Sequence, residues 1–171
     1  MSGRKLWQTS GGGQVKVNNM VVVSKHGSGN FTTISAAVAA APTNTAANQG
    51  YFMIYVVGGV YEEYVSIAQN KQYLMIVGDG INKTVITGNH SVADGWTTYT
   101  VVGPGFVAIN ITIQNTAGAI KQQAVALLNN ADLSTFYNCS IKGYQDTLLT
   151  HSMRQFSDHA ISTTVISYLE I

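Results

Sequence analysis

Charge and cysteine are both scarce in this 171-residue sequence, and each shortage excludes a class of protein. Charged residues make up only 10% of the chain, and two arginines, Arg4 and Arg154, are too few for the basic face of a nucleic-acid-binding protein. The one cysteine, Cys139, excludes an intrachain disulfide and a metal site built from several cysteines. No apolar run approaches the ~18 residues of a membrane-spanning helix, so we expect no membrane segment.

The residues that are present favour a folded, β-rich domain. Hydrophobic residues make up 46% of the chain and the net charge is +1, a combination that excludes intrinsic disorder. The basic pair Arg4 and Lys5 is followed by Trp7 and then by a polar, Gly-rich stretch. A secretory signal would instead continue with an apolar stretch, so the sequence predicts no signal peptide and a flexible leader over residues 1–20.

One helix and a series of short strands are predicted along the rest of the chain. Apolar residues at helical spacing predict a helix near 31–41, with Ser28 or Asn30 as its cap. β-Branched and aromatic runs predict strands at 51–57, 64–67, 73–77, 84–87, 99–102, 106–113, 124–128, 133–141 and 147–150. No long helix separates these strands, which disfavours a doubly wound sheet.

A loose internal repeat indicates how these strands are arranged. The segment Ile109–Ile113 resembles Tyr137–Ile141, 28 positions later, and Val101 resembles Val125 at a spacing of 24. Repeats of this length built only from strands predict an all-β solenoid, a parallel β-helix in which each coil stacks on the previous one. Recurring asparagines would then form ladders inside the coil. A β-sandwich is the alternative on this pattern.

Candidate chemistry is concentrated around one acidic residue. Most carboxylates lie at predicted turns, where a solvated side chain is the default, but Asp146 follows Gln145 between two apolar strands. Gln123 precedes an earlier apolar strand. If one coil is as long as the gap between the two glutamines, they stack about 5 Å apart. Two amide donors beside a carboxylate are what an oxyanion requires, although a row of solvated polar side chains is the simpler interpretation of these residues taken alone.

The remaining sequence patterns give little or no evidence for another function. The four histidines show no metal-ligand spacing, and the turn-like segment Gly78–Thr84 lacks the glycines of a phosphate loop. Five Asn-x-Ser/Thr sequons are consistent with a secreted protein, at Asn30, Asn82, Asn89, Asn110 and Asn138. The last two fall inside predicted strands, where a glycan would have poor access.

Four motifs occur between Val21 and Phe156, over roughly four-fifths of the chain. They are the segment His26–Ile34, Gly-x-Tyr-x-Glu at Gly59, Tyr61 and Glu63, Gln-Ala-Val-Ala at Gln123–Ala126, and Gly-Tyr-Gln-Asp-Thr-Leu at Gly143–Leu148. Together these motifs resemble the plant pectin methylesterase (pectinesterase) family.

The resemblance implies a right-handed parallel β-helix that hydrolyses methyl esters of cell-wall homogalacturonan and releases methanol. In the family one aspartate attacks the ester carbonyl, and a second protonates the departing methanol and then activates water. Matched by motif, Asp146 is the general acid/base, and Gln123 and Gln145 are the oxyanion donors. The implied location is the extracellular cell wall. The implied partners are pectin and a proteinaceous pectinesterase inhibitor, with no metal or organic cofactor, no nucleic acid and no membrane.

The nucleophile of the family does not carry over. The family places it after Asp146 in Gly-Thr-Val-Asp-Phe, at a distance along the chain that reaches Ile166 and Ser167 here. The serine has no evident general base, so no nucleophile is identified. The substrate-contacting aromatic expected shortly after Asp146 is replaced by Leu149, and the active-site arginine of the family is missing from the chain.

The resemblance also divides the chain. Arg4–Trp7 within the leader resembles a processing site, residues 21–156 resemble part of the β-helix domain, and residues 157–171 diverge. The last six residues, Ile-Ser-Tyr-Leu-Glu-Ile, can be encoded by bases that read Asp-Phe-Val-Phe-Gly-Asp in another frame. We therefore interpret the tail as frameshifted, which the coding DNA tests. A truncated β-helix would expose an unpaired edge, so we expect reduced stability or self-association.

Three interpretations follow for function. The first is an esterase by descent with little or no activity. The second is a non-catalytic protein that binds polygalacturonate or an inhibitor, and the third is a bare solenoid fragment without retained function. Methanol release distinguishes the first from the others, and binding to polygalacturonate distinguishes the second from the third.

Overall fold

The computed structural model describes residues 7–8, 14–90, 97–117, 124–143, 147–150, 154–158, 161–162 and 166–168. Within these ranges, the side chains described are those of residues 15–157. These residues form one short helix and eighteen short strands. The helix α1 spans Ile34–Ala40, and a 3-10 turn spans Ala47–Gln49. The strands are β1 Trp7–Gln8, β2 Gln14–Val15, β3 Val17–Val23, β4 Tyr51–Val56, β5 Gly59–Glu62, β6 Val65–Ile67, β7 Leu74–Gly78, β8 Thr84–Gly88, β9 Tyr99–Val101, β10 Val107–Ile109, β11 Thr112–Asn115, β12 Leu127–Asn129, β13 Ser134–Tyr137, β14 Ser140–Lys142, β15 Leu148–Thr150, β16 Gln155–Asp158, β17 Ile161–Ser162 and β18 Ile166–Tyr168.

Three parallel sheets run along the molecule, and each coil after the first, which contains β3 and the helix, contributes one strand to each sheet. Sheet 1 contains β3, β4, β7, β10, β13 and β16; sheet 2 contains β5, β8, β11, β14 and β17; and sheet 3 contains β6, β9, β12, β15 and β18. All neighbours within these three sheets pair in parallel, and β1 and β2 form a separate antiparallel pair. The predicted right-handed parallel β-helix is therefore confirmed, and the β-sandwich alternative is wrong.

The repeat between the segments at Ile109 and Tyr137 is confirmed by the strand register. Ile109 pairs with Tyr137, so β10 and β13 occupy equivalent places in successive coils. The shorter match of Val101 with Val125 is wrong, because Val101 pairs with Asn129. That match relied on valines, which are common in any strand. The strand register at Val101 instead has the same 28-residue spacing that separates Ile109 from Tyr137.

Two predicted strands, 106–113 and 133–141, each prove to be two strands that belong to different sheets. Asn110 and Asn138 separate them, with φ of 58° and 48°, a left-handed conformation that ends a strand and that asparagine tolerates. Asn138 Nδ2 donates to Asn110 Oδ1 at 2.6 Å. The predicted asparagine ladder is thus present, but at the half-buried corner between sheets 1 and 2 rather than inside the coil.

The helix α1 covers one end of the coil interior and is shorter than predicted. Its cap is Thr33, whose side chain accepts from the Ala36 amide, so neither Ser28 nor Asn30 caps it. No helix among the described residues is long and apolar enough to cross a bilayer.

The first turn of α1 is held by a carboxylate from another part of the chain. Glu63 accepts hydrogen bonds from the Ile34 and Ser35 amides, both at 2.9 Å, and from the Ser35 hydroxyl at 2.8 Å. An anion at a helix N-terminus also interacts favourably with the helix dipole. The last residue of the Gly-x-Tyr-x-Glu motif, Glu63, therefore has a structural role, because it directly follows β5 and hydrogen-bonds to the start of the helix.

The coil interior is closely packed and apolar. Tyr99, Phe106 and Phe136 form a chain of tilted rings through successive coils, with centroids 6.2 and 5.7 Å apart. Cys139 is fully buried in the same core, and this burial raises the pKa of its thiol to about 11. The cysteine is therefore a neutral packing residue at neutral pH.

The backbone of the segment predicted to diverge continues the coil. β16, β17 and β18 pair in parallel with β13, β14 and β15. The frameshift hypothesis for residues 157–171 remains a prediction, because the coding DNA is what tests it.

The carboxylate of Glu63 should contribute measurably to stability. We expect Glu63→Ala to lower the free energy of unfolding by about 1–2 kcal/mol, because it leaves two helix amides without their charged acceptor. Denaturant unfolding followed by circular dichroism measures the change. The matched control is the neighbouring exposed Glu62→Ala, which should change stability by less than about 0.5 kcal/mol. Equal effects of the two substitutions would contradict the capping role.

Candidate active site

The three residues predicted to carry chemistry, Gln123, Gln145 and Asp146, lie outside the described residues. Their immediate neighbours are described. Ala124 follows the first glutamine and Thr147 follows the aspartate, and both are buried. The positions of Ala124 and Thr147 therefore indicate where the two segments of the candidate site enter the described structure.

The flanks of the candidate residues meet in adjacent coils. Leu127 of β12 pairs with Leu148 of β15, so these two residues are one coil apart along the chain. The amides of Ala126 and Leu127 both donate to the Thr147 carbonyl, at 3.0 and 3.1 Å. One segment of the candidate site thus ends at β12 and the other at β15, the strand paired with it. The coil length inferred from the glutamine spacing agrees with this register to within one position.

A buried asparagine that the sequence analysis missed fixes the start of β12. Asn115 is 3% exposed, and its Nδ2 donates to the His90 carbonyl at 2.8 Å and to the Val125 carbonyl at 3.2 Å. Its Oδ1 accepts from the Ala117 amide at 2.9 Å. One amide side chain therefore joins three chain segments that follow β8, end β11 and precede β12. A single sequence gives no signal for this, because the asparagine continues an ordinary strand pattern.

The two positions expected to hold the nucleophile lie in the last strand. Ile166 and Ser167 belong to β18, and Ser167 pairs with Leu149 of β15. The backbone of this segment therefore lies beside β15, the strand that follows Asp146 in sequence. Neither residue has a carboxylate.

Carboxylates at turns are hydrogen-bonded rather than simply solvated, which corrects the expectation for three of them. Glu63 holds the helix, as described above. Asp79 accepts from the Tyr55 hydroxyl and from the Gly58 amide, and these bonds lower the pKa of its carboxyl group. Arg154 contacts Asp132 at 2.5 Å and lowers the pKa of that carboxyl group.

The segment Gly78–Thr84 is a turn, as predicted. The amides of Lys83 and Thr84 both donate to the Gly80 carbonyl at 3.0 Å. The Thr84 hydroxyl accepts from the Asp79 amide and donates to the Val56 carbonyl. This segment therefore connects β7 to β8. Within the described part of the chain, no three His, Cys, Asp or Glu side chains are grouped so that they could hold a metal ion.

Comparison with known proteins gives a consistent result. A model of the pectinesterase family matches residues 20–169. Probable pectinesterase/pectinesterase inhibitor 7 of Arabidopsis thaliana is 60% identical over 150 residues, which cover 85% of this chain and 26% of that protein. The chain thus spans about a quarter of the length of the curated relatives it matches.

Solved structures of the same kind share the fold. Pectin methylesterase from carrot is 46% identical with a TM-score of 0.79, and the match covers 83% of this chain and 45% of the carrot chain. A pectin methylesterase solved in complex with a hexasaccharide is 30% identical with a TM-score of 0.69, and the match covers 82% of this chain and 48% of that one.

The role of Asn115 is testable through stability. Asn115→Leu keeps the side-chain size but removes the donor for two carbonyl groups and the acceptor for one amide. We expect it to lower the free energy of unfolding by about 2–4 kcal/mol, measured by denaturant titration. The neighbouring Gln114→Leu, on the outer face of β11, is the matched control and should change stability by less than about 0.5 kcal/mol. An equally small effect of Asn115→Leu would contradict the role of this asparagine in joining the three segments.

Proposed function

The chain belongs to the pectinesterase family, and from that premise we propose that it carries the substrate-binding and acid/base part of a pectin methylesterase. The reaction is hydrolysis of the methyl esters of polygalacturonate, with release of methanol. The observation that carries the proposal is the in-register pairing of β12 with β15, because the family motifs containing Gln123 and Asp146 directly precede these two strands.

Each proposed catalytic residue has a distinct role. Gln123 and Gln145 donate amide hydrogens to the oxygen that becomes negative when the ester carbonyl is attacked. Asp146 gives a proton to the departing methanol and afterwards takes a proton from the water that hydrolyses the intermediate. Parallel strands lie about 4.8 Å apart, which supports placing the two glutamines within reach of one substrate oxygen.

The missing carboxylate limits the activity of this chain. The family mechanism needs a nucleophilic aspartate at the place along the chain where this sequence has Ile166 and Ser167. We therefore propose that the chain by itself hydrolyses esters slowly or not at all. This observation favours a second function, which is non-catalytic binding of polygalacturonate or of a proteinaceous pectinesterase inhibitor.

Partners and location follow from the same premise. The structure of a related pectin methylesterase with a hexasaccharide supports a polygalacturonate ligand. The names of the curated relatives combine pectinesterase with pectinesterase inhibitor, which supports an inhibitor as a partner. We propose the extracellular cell wall as the location. The exposed sequons at Asn30, Asn82 and Asn89 are consistent with secretion, whereas Asn138 already uses its Nδ2 in the ladder.

An added nucleophile should reveal the acid/base and oxyanion groups. With highly methylated pectin at neutral pH, we expect methanol release by the chain to stay near the protein-free rate. Hydroxylamine attacks the ester carbonyl, forms a hydroxamate and displaces methanol. We expect the chain to raise this methanol release about tenfold over protein-free hydroxylamine, since oxyanion donors and binding alone retain part of the catalysis in nucleophile-deleted hydrolases.

Two substitutions test the assigned roles in the same methanol assay. Asp146→Asn and Gln123→Leu should each remove most of the hydroxylamine-dependent release, because the first removes the acid and the second an oxyanion donor. Asp132→Asn is a control, because it removes the same charge from a turn held by Arg154. Unchanged release by Asp146→Asn would refute the assignment. Methanol release without hydroxylamine that Asp146→Asn abolishes would mean that a tail group, such as Glu170, supplies the nucleophile.

A further inference from the structure

The outer face of sheet 2 forms an open groove, which we call the outer groove. It has a volume of about 480 Å³, within the range of about 300–1,000 Å³ that is usual for small-molecule sites. Its lining includes Glu62, Tyr64, Thr87, Asn89, His90 and Gln114. None of these residues has a part in the proposed ester hydrolysis.

The floor of the outer groove is a row of polar side chains set by strand register. Glu62 of β5 pairs with Thr87 of β8, and Thr87 pairs with Gln114 of β11. Alternate residues of a strand point to opposite faces, and the residues that precede these three are buried in the coil. Gln114 Nε2 donates to the Thr87 hydroxyl at 3.1 Å. The floor therefore crosses three coils and offers hydroxyl and amide groups.

Two rings form one side of the outer groove. The rings of Tyr64 and His90 meet edge to face, with centroids 5.0 Å apart and planes at 82°. The Tyr64 hydroxyl donates to Asn89 Oδ1 at 3.1 Å and accepts from the Asn89 amide at 3.2 Å. These bonds fix the tyrosine ring, so it presents a rigid apolar surface beside polar groups, the combination that binds the C–H face and the hydroxyls of a sugar ring.

We propose that the outer groove is a second contact site for the same polymer and that it binds a methyl-esterified galacturonate unit in preference to the free acid. This inference rests on the proposed function for the identity of the polymer. The pyranose ring packs against Tyr64, and its hydroxyl groups hydrogen-bond to Thr87 and Gln114.

The preference for the ester comes from charge. Glu62 is the one carboxylate among the described residues that line the outer groove, and it is exposed at one end of the polar row. A free galacturonate carboxylate placed there would meet a like charge, whereas a methyl ester is neutral. Among the described residues, two lysines lie near the row. Lys142 pairs with Gln114, about three strand spacings from Glu62, and the Lys25 ammonium donates to the carbonyl of Val60, which lines the groove. Neither of these lysines forms an ion pair with Glu62 in the described part of the chain.

The outer groove is connected to the candidate active site through Asn115. Its amide donates to the carbonyl of His90, which lines the groove, and to the carbonyl of Val125, two positions after Gln123 in sequence. The groove wall and the start of β12 are thus held in one fixed arrangement. A polymer bound in the groove is therefore held at a fixed position relative to the strand that follows Gln123.

Binding of defined oligomers tests the outer groove. The probes are fully methyl-esterified hexagalacturonate and the same oligomer after saponification, titrated calorimetrically into the Asp146→Asn variant of this chain, which prevents hydrolysis. The host should add no N-glycans, because Asn89 heads a sequon. We expect the ester to bind more tightly than the acid. Tyr64→Leu should weaken ester binding about tenfold through loss of the ring surface. Tyr137→Leu, an exposed tyrosine of β13 in sheet 1, should leave it unchanged.

A second variant keeps the test valid if Tyr64→Leu does not fold. Glu62→Gln changes one exposed side chain, and we expect it to raise the affinity for the saponified oligomer about threefold while ester binding stays the same. Asp132→Asn removes an equal charge elsewhere and should have no effect. No binding of the ester, equal effects of the two tyrosine variants, or an unchanged ester preference in Glu62→Gln would overturn the proposal.

The two proposals fail separately. Hydroxylamine-dependent methanol release, together with unaltered ester binding in Tyr64→Leu and an unaltered ester preference in Glu62→Gln, would refute the outer groove and leave the proposed function intact. Loss of ester binding in Tyr64→Leu, without methanol release in the hydroxylamine assay, would support the groove and refute the proposed catalytic roles.

Discussion

Parallel hydrogen bonding between successive coils is the interaction on which the rest of this structure depends. Each strand finds its partner one coil away, so side chains that lie far apart in the sequence are stacked at about 4.8 Å. The stack places Tyr61, Ile86, Ile113 and Ile141 in one buried row of sheet 2. The same register brings Ala126 against Thr147, the residue that follows Asp146. A shift of one residue would move the apolar row to solvent and separate these segments.

The sequence allowed the fold class and the repeat to be predicted because both depend on backbone pairing and on alternating apolar residues. It did not reveal where strands end. The pattern predicts strand residues at Asn110 and Asn138, since a turn made by one left-handed asparagine does not interrupt the apolar alternation around it. The predicted helix caps, Ser28 and Asn30, are also wrong, because the start of the helix depends partly on a residue from another part of the chain. Thr33 caps α1, but the first two amides of the helix are satisfied by Glu63, which is distant in sequence.

The candidate site was more difficult to predict than the fold because it depends on connections of unequal length. The chain from Gln114 to its partner Lys142 is longer than the chain from Leu127 to its partner Leu148. The connection between sheets 2 and 3 is therefore longer from β11 to β12 than from β14 to β15, and the longer connection contains Gln123. Asn115 holds both ends of that connection through the Ala117 amide and the Val125 carbonyl. No local pattern announces such a contact, because its partners belong to the turn and the next strand.

The β-helix separates the residues that hold the fold from those that face a ligand. In sheet 2, Tyr61, Ile86 and Ile113 point into the coil, while the adjacent Glu62, Thr87 and Gln114 point outward. Outward residues contribute little to core packing, so a substitution there changes charge or hydrogen bonding on the surface without altering the register. The register nevertheless decides which outward residues are neighbours. In the outer groove, this places a carboxylate, a hydroxyl and an amide in one row, and the fixed ring of Tyr64 beside them gives that row a direction along which a stiff polymer can lie.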